Sequence, residues 1–196
     1  MKTKLLVLAA SLSAIATMPV LAAPTTYTID PDHTQIRFSY SHFGFSNIKG
    51  SMAVAGGTVT YDPVKPADSS IQITAQADTV SVGVAALDEH LRAADFLDVA
   101  NFPTATFKST KVEKVGESTL MLKGDLTIRD KTLPTTFFVG INKVGEHPMR
   151  KTPAAGFDAT GSIDRSAFGI DTYTMVTGTE VKLEITMEAF VPAAAE

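Results

Sequence analysis

The chain has 196 residues, contains neither Cys nor Trp, is 44% hydrophobic and carries a formal net charge of −4. This mild acidity, without any basic run, argues against nucleic acid and anionic lipid headgroups as partners. A chain without Cys has neither disulfides nor thiol chemistry, so its core alone must stabilise what its length indicates is a single domain.

The N-terminus has the features of a secretion signal. Lys2 and Lys4 precede the apolar stretch 5–16, and small or apolar residues at 20–22 precede a predicted cut after residue 22 or 23. The apolar stretch is too short to span a bilayer comfortably, and no later stretch approaches the ~20 apolar residues of a membrane helix. We therefore expect a signal peptide at 1–22, with an N-terminal anchor as the alternative, and a mature periplasmic domain at 23–196. Cleavage of this signal would remove two lysines and no acids, which leaves 15 basic against 21 acidic residues and a net charge of −6.

After this leader, apolar residues recur with period two, which is typical of strands that have one apolar and one polar face. Ile36, Phe38 and Tyr40 show the pattern early in the chain. Many such segments separated by turn residues favour a barrel or a sandwich. The predicted strands lie near 26–30, 34–42, 51–61, 69–77, 103–114, 118–129, 132–144, 154–163 and 179–191.

One segment, from Val84 to Ala94, breaks the strand pattern. Val84, Leu87 and Leu91 recur there at helical spacing, and Asp88 and Arg92 stand four residues apart, as in a helical ion pair. We predict a short helical segment at about 84–97 that lies over one end of the barrel.

Alternation alone does not say whether the apolar face points into the barrel or out toward lipid, since a small outer-membrane barrel shows the same period. Membrane barrels carry aromatic girdles, whereas this chain has no Trp and only four Tyr. We therefore predict an apolar interior. The pattern supports a filled interior and one with room for a ligand equally. The residues predicted to face inward are Phe38, Tyr40, Phe107, Leu126, Ile128, Phe137, Val139, Leu183 and Ile185.

Several motifs, spread over the whole mature chain, resemble those of the YceI-like family. The most specific is His90-Leu91-Arg92-x-x-Asp95-Phe96, which a generic barrel has no reason to carry. One departure is the turn at 129–134, where the family often has Gly-Val-Thr-Lys-Pro. The matching segments are 27–38, 41–46, 49–50, 90–98, 102–107, 124–128 and 164–170.

The resemblance implies an all-β fold, a single eight-stranded antiparallel lipocalin-like barrel. It further implies that an apolar tunnel holds a long polyisoprenoid or an isoprenoid quinone, for transport, storage or scavenging, and that the protein forms a homodimer. The bound lipid would be the ligand, with no cofactor and no metal. We expect no stable membrane insertion.

The candidate ligand-binding residues fall into two groups, the inward-facing wall and the polar and aromatic residues at one end. We expect His42, His90, Arg92 and Asp95 to meet at the tunnel mouth and hydrogen-bond a head group. The alternative is that His42 and Asp95 are structural groups that tie the helix to the barrel. The full set is Phe38, Tyr40, His42, Phe43, Phe45, Leu87, His90, Leu91, Arg92, Asp95, Phe96, Phe107, Leu126, Ile128, Phe137 and Phe168.

Two other functions remain open from the sequence. One is a packed barrel without a ligand, with a structural or stress-response role. The other is a hydrolase that uses His42 and His90 as acid and base. Because the chain lacks a His-x-x-x-His pair, a Gly-x-Ser-x-Gly elbow and any Cys ligand, we expect a binding protein and not an enzyme.

Overall fold

A computed structural model of the chain describes residues 24–192. The predicted signal peptide lies outside the described residues. The described part is dominated by antiparallel strands, with two short helices, α1 (Ala85–Arg92) and α2 (Thr174–Thr177). The strands are β1 (Thr25–Ile29), β2 (Gln35–His42), β3 (Ser46–Tyr61), β4 (Ser70–Ser81), β5 (Thr104–Lys114), β6 (Thr119–Ile128), β7 (Lys131–Glu146), β8 (Pro153–Asp164) and β9 (Glu180–Phe190).

The first two strands are one barrel strand broken in the middle. β1 and β2 each pair with β3 on one side and β9 on the other. A short 3₁₀ turn at Pro31–His33 separates them, where Pro31 has no N–H to give and the Asp30 carboxylate accepts from the Asp32 N–H at 3.0 Å. The described strands therefore fill eight positions around the barrel.

The remaining strands follow the chain around the barrel. The order runs from β2 through β3, β4, β5, β6, β7, β8 and β9, and β9 then pairs with β2 to close the ring. Every pairing is antiparallel, so short turns suffice for most connections. The predicted fold class, an eight-stranded antiparallel lipocalin-like barrel, is confirmed.

The apolar side of the alternation points inward. All nine residues that the period-two pattern placed on the inner face line the barrel cavity. Around them, buried residues from most of the strands form one hydrophobic cluster, which includes Tyr27, Phe107 and Phe157. Because successive side chains of a strand alternate between faces, the local pattern was enough to assign them.

Helix α1 lies within the predicted helical segment, directly follows β4, and is tied to that strand by two side chains. The Asp88 carboxylate accepts from the Val82 N–H at 2.6 Å and from the Ser81 hydroxyl at 2.7 Å. Arg92 donates to the carbonyls of Asp78 and Val80 at 2.9 and 2.7 Å. The predicted ion pair between Asp88 and Arg92 is therefore wrong, because each side chain bonds to β4 and its continuation.

The two ends of the barrel differ in what covers them. The lid end, defined by the β2–β3 turn, the segment 82–103 with α1 and the segment 165–179 with α2, gathers the longest connections of the chain. The base end, defined by the β7–β8 connection 147–152 and the break at residues 30–33 that its Arg150 contacts, lies toward the opposite ends of the strands. None of the helices in the described range has the length and apolar character that crossing a bilayer would require.

Candidate functional site

The barrel surrounds a cavity of about 600 Å³ whose lining extends from Ser69 and Ser70, at the β3–β4 connection, to Tyr173 at the lid end. Ile36, Leu122, Val139 and Ile185 show the character of the wall, which is almost entirely aliphatic and aromatic. Pockets of roughly 300–1,000 Å³ with an apolar lining are typical of small-molecule sites. The interior thus contains open space, which favours the alternative with room for a ligand over a filled core.

Three inward-facing phenylalanines pack their rings against glycines of the neighbouring strand and so leave the centre of the cavity open. The Phe107 ring occupies the position that a β-carbon on Gly124 would need, and the Phe38 ring does the same at Gly50. At a third pair, a β-carbon on Gly161 would lie 2.8 Å from the Phe137 ring. Because each ring fills the place where a side chain of the neighbouring strand would lie, it projects less far into the centre of the cavity.

At the lid end, three aromatic rings from different segments pack together. The His90 ring of α1 meets the Phe96 ring edge-on at a centroid distance of 4.7 Å and the Tyr173 ring at 5.6 Å. Asp95 lies beside this cluster, with its carboxylate 3.7 Å from His90 Nε2. The cluster therefore joins α1 to the segment that carries α2.

The β2–β3 turn closes on the same segment from the other side. The Phe43 N–H donates to the Val176 carbonyl at 2.8 Å, and the His42 ring lies 4.8 Å from the Phe43 ring. Phe43 and Tyr173 both have left-handed backbone, with φ of 53° and 57°. Such backbone is unfavourable for aromatic residues and clusters at ligand clamps, so its occurrence on two lid segments fits a site that closes over a ligand.

The turn between β6 and β7 holds two lid segments in place. Arg129 donates to the carbonyls of Phe96 and Gly169 at 3.2 and 3.1 Å, from a backbone with φ of 56°. Its Nε is buried without a hydrogen-bond partner within residues 24–192. The turn that departs from the family pattern therefore positions the lid and does not contact the cavity.

The sequence reasoning missed Arg165, which begins a 3₁₀ turn directly after β8. Its side chain lines the cavity at the lid end, although the residue is only 7% exposed. Burial lowers the pKa of Arg165, with the nearby Asp171 carboxylate acting in the opposite direction. The one available signal was its place in the family-like segment 164–170.

Most of the predicted site residues line the cavity, and four do not. Phe45 is 93% exposed in the β2–β3 turn, and Arg92 turns to the β4 carbonyls. Asp95 is exposed beside His90, and Phe168 is buried in the hydrophobic cluster outside the cavity lining. Those that line it are Phe38, Tyr40, His42, Phe43, Leu87, His90, Leu91, Phe96, Phe107, Leu126, Ile128 and Phe137.

The polar groups of the cavity suit orientation of a ligand better than metal chemistry. Within residues 24–192, no three His, Asp or Glu side chains stand close enough together to hold a metal ion. His42 and His90 contact aromatic rings, and His90 has a single carboxylate neighbour. The arrangement can enclose an elongated apolar molecule and offer polar contacts at its lid end.

A closed eight-stranded barrel with an apolar cavity and one covered end defines a lipocalin-like binding architecture. Within that class, residues 27–189 match the YceI-like domain, and the chain belongs to this family. A UPF0312 protein of Vibrio cholerae is 34% identical over 183 residues, covering 92% of this chain and 95% of the relative. Protein YceI of Salmonella arizonae is 36% identical over 169 residues, covering 85% and 87%.

Solved structures show the same fold. BcnA of Burkholderia cenocepacia matches with a TM-score of 0.72 at 23% identity, over 82% of this chain and 99% of that one. A polyisoprenoid binding domain from Saccharophagus degradans, implicated in plant cell wall breakdown, matches with a TM-score of 0.63 at 13% identity, over 85% and 98%. At these identities the likeness concerns the fold alone.

Proposed function

We propose that this protein is a non-enzymatic periplasmic binding protein that holds a polyisoprenoid or isoprenoid-quinone lipid in the barrel cavity, for transport, storage or scavenging. The observation that carries the proposal is the open cavity of about 600 Å³ with its almost wholly apolar wall. An isoprenoid tail has no hydrogen-bonding groups, so it leaves no polar atom unsatisfied in such a wall. The polyisoprenoid binding domain with the same fold supports this choice of ligand.

The energetics favour a long tail over a particular length. Each buried CH₂ contributes about 0.8 kcal/mol, and the ordering of a flexible tail offsets part of that gain. Affinity therefore depends on how much tail the cavity accepts. We expect the protein to tolerate tails of different lengths.

The cavity also bears on the packed-barrel alternative. A structural barrel has no need for an empty interior, since unfilled space forfeits packing contacts and costs stability. The Phe–Gly pairs keep the rings against the wall, which increases the free space and would be counterproductive in a packed core. Both features favour a binding function.

The direct test is native mass spectrometry of the protein purified without detergent from the periplasmic fraction, followed by lipid extraction. We expect a bound lipid with an isoprenoid tail and an N-terminus cut after residue 22 or 23. Protein free of lipid that also fails to bind added prenyl lipids would contradict the binding function. Light scattering on the same sample tests the expected homodimer.

A further inference from the structure

Arg165 places a buried positive charge in a mostly apolar cavity. The residue is 7% exposed, and its guanidinium carbon lies 6.0 Å from the centre of the Phe96 ring, which also lines the cavity. Buried charges are normally paired or coordinated, since removing a charge from water is costly. A buried cation without an ion-pair partner is therefore a candidate for binding an anion.

The protein itself supplies only neutral acceptors by direct contact. Arg165 donates from Nε to the Gly178 carbonyl at 3.0 Å, from Nη1 to the Ile170 carbonyl at 2.8 Å and from Nη2 to the Thr177 hydroxyl at 2.8 Å. A guanidinium has five N–H groups, so these three bonds leave one on each Nη nitrogen. The bonds also fix the orientation of the planar guanidinium group.

No carboxylate makes an ion pair with Arg165 within residues 24–192. The acids that act on it are Asp171 and Asp164, both exposed, and they do so at longer range. Asp164 instead accepts hydrogen bonds from the Ser166 N–H and hydroxyl. Another acid of the lid end, Asp95, is exposed and lies beside His90.

Tyr40 adds a second, neutral donor to the cavity wall. Its side chain lines the cavity and lies close enough to interact electrostatically with Arg165. Burial raises the pKa of Tyr40, so the hydroxyl keeps its proton at neutral pH and can donate. A fixed cation and a neutral O–H donor together form a site for oxygen acceptors.

We propose that Arg165, with Tyr40, binds a terminal oxyanion, a phosphate or a carboxylate, on the head of the apolar chain that fills the barrel. The proposal rests on the proposed function, since the tail in the cavity brings the head to the lid end. An oxyanion provides the missing counter-charge for Arg165 and accepts its two remaining N–H groups. A neutral alcohol on the same tail accepts a hydrogen bond but supplies no charge.

The test compares three ligands with one tail: geranylgeraniol, geranylgeranyl phosphate and geranylgeranoic acid, each displacing a fluorescent prenyl analogue from the lipid-free protein. Hydrogen bonds to charged groups are stronger than neutral ones, so we expect both anions to bind about ten- to hundredfold more tightly than the alcohol. The ratio between phosphate and carboxylate identifies which of them the site prefers. Equal affinity of all three would overturn the oxyanion site but leave tail binding intact, and no binding of any of them would overturn the proposed function itself.

Two variants locate the effect. Arg165→Gln keeps hydrogen-bonding groups but removes the charge, so the advantage of the anions should disappear while the affinity for the alcohol is retained. Arg92→Gln is the matched control, because Arg92 bonds to backbone carbonyls outside the cavity, and it should keep the wild-type ratio. An unchanged ratio in Arg165→Gln would overturn the assignment to Arg165. Since the comparison of ligands on the wild type needs no variant, a destabilised Arg165→Gln leaves the proposal testable.

Discussion

The lid end and the base end of this barrel are held together in different ways. At the lid, side-chain hydrogen bonds and ring contacts join segments that lie outside the strands, such as Arg129 to the carbonyls of Phe96 and Gly169 and the His90 ring to the Tyr173 ring. At the base, the Asp30 carboxylate is almost buried and accepts from both His33 and Arg150 at 2.9 Å, and Arg150 stacks over the buried Phe190 ring at 4.1 Å.

The two ends differ more in strand pairing than in exposure, since the lid segments 82–103 and 165–179 lie outside the strands. Both ends carry exposed apolar side chains, Phe45 and Met175 at the lid (93% and 99%) and Met149 at the base (87%), but Ile29 and Ala189 near the base are almost completely buried. Regions with few buried contacts open locally at a lower free-energy cost than well-packed ones. We therefore expect the lid end, whose long segments take no part in strand pairing, to open without unfolding the barrel.

The largest expected effect is on stability, at the base. Phe190→Ala removes a ring that is packed beneath Arg150 and against His147, outside the cavity lining. Creating a cavity at a packed aromatic costs about 3–5 kcal/mol in the free energy of unfolding. Urea unfolding of the lipid-free protein measures this loss, and the ligand exchange rate should remain at the wild-type value. Faster exchange in this variant would mean that the base also admits ligand.

A smaller loss of stability is expected on the cavity wall. Phe107 packs against the Phe137 ring at 5.2 Å but faces open space on its inner side. Phe107→Ala should therefore lower the free energy of unfolding of the lipid-free protein by less than the about 3–5 kcal/mol expected for a packed ring. Lipid occupancy should fall in the same variant. A loss as large as that of Phe190→Ala, equal with and without lipid, would favour a packed barrel.

At the lid, the expected effect is kinetic. Leu87 and Leu91 are the apolar residues of α1 that line the cavity. The double change Leu87→Asp and Leu91→Asp should speed exchange of a fluorescent prenyl analogue, because strand pairing does not depend on α1. Circular dichroism at the same temperatures should show unchanged strand content. Val84→Asp is the control, since Val84 is exposed and outside the cavity lining, and its exchange rate should match the wild type. Unchanged exchange in the folded double variant would show that the ligand enters elsewhere.

The smallest expected effect is a dependence of the lid on pH. Hydrogen bonds from the Val82 N–H and the Ser81 hydroxyl lower the pKa of Asp88 below its ordinary value of 3.8. A lowered pKa in the folded state stabilises α1 above pH 3.8, and this contribution is lost as pH falls through the folded-state pKa. Exchange should therefore accelerate in acid in the wild type, whereas Asp88→Asn should show faster exchange at neutral pH and no further acceleration. Equal acid dependence in both proteins would assign the effect to another group.

The wall could be predicted from the sequence because its determinants are local. Strand alternation places side chains on one face without reference to the rest of the chain, and the helix signal at 84–94 is equally local. The observed α1, Ala85–Arg92, lies within the predicted segment.

The head of the site could not be predicted in the same way. Arg165 is buried because the segment up to Gly178 folds back over it and accepts its hydrogen bond. The spacing of apolar residues along the sequence cannot predict such a contact. The net charge of the chain, which argued against anionic headgroups, averages over the surface and does not register one buried cation. Arg92 illustrates the converse, since its place beside His90 in the motif suggested the cavity, whereas the β4 carbonyls hold it outside.

The most direct test of the central claim, that the interior of the barrel holds an apolar tail, uses two neighbouring positions of β8. Ala159 lines the cavity, and Thr160 is exposed on the outer face, so phenylalanine at each adds the same side chain on opposite sides of one wall. The measurement is the affinity of each variant for geranylgeraniol, obtained by displacement of a fluorescent prenyl analogue. If Ala159→Phe excludes about two CH₂ groups of the tail, its affinity falls about tenfold, while Thr160→Phe binds like the wild type. Equal affinity in both variants, with both folded, would contradict the claim.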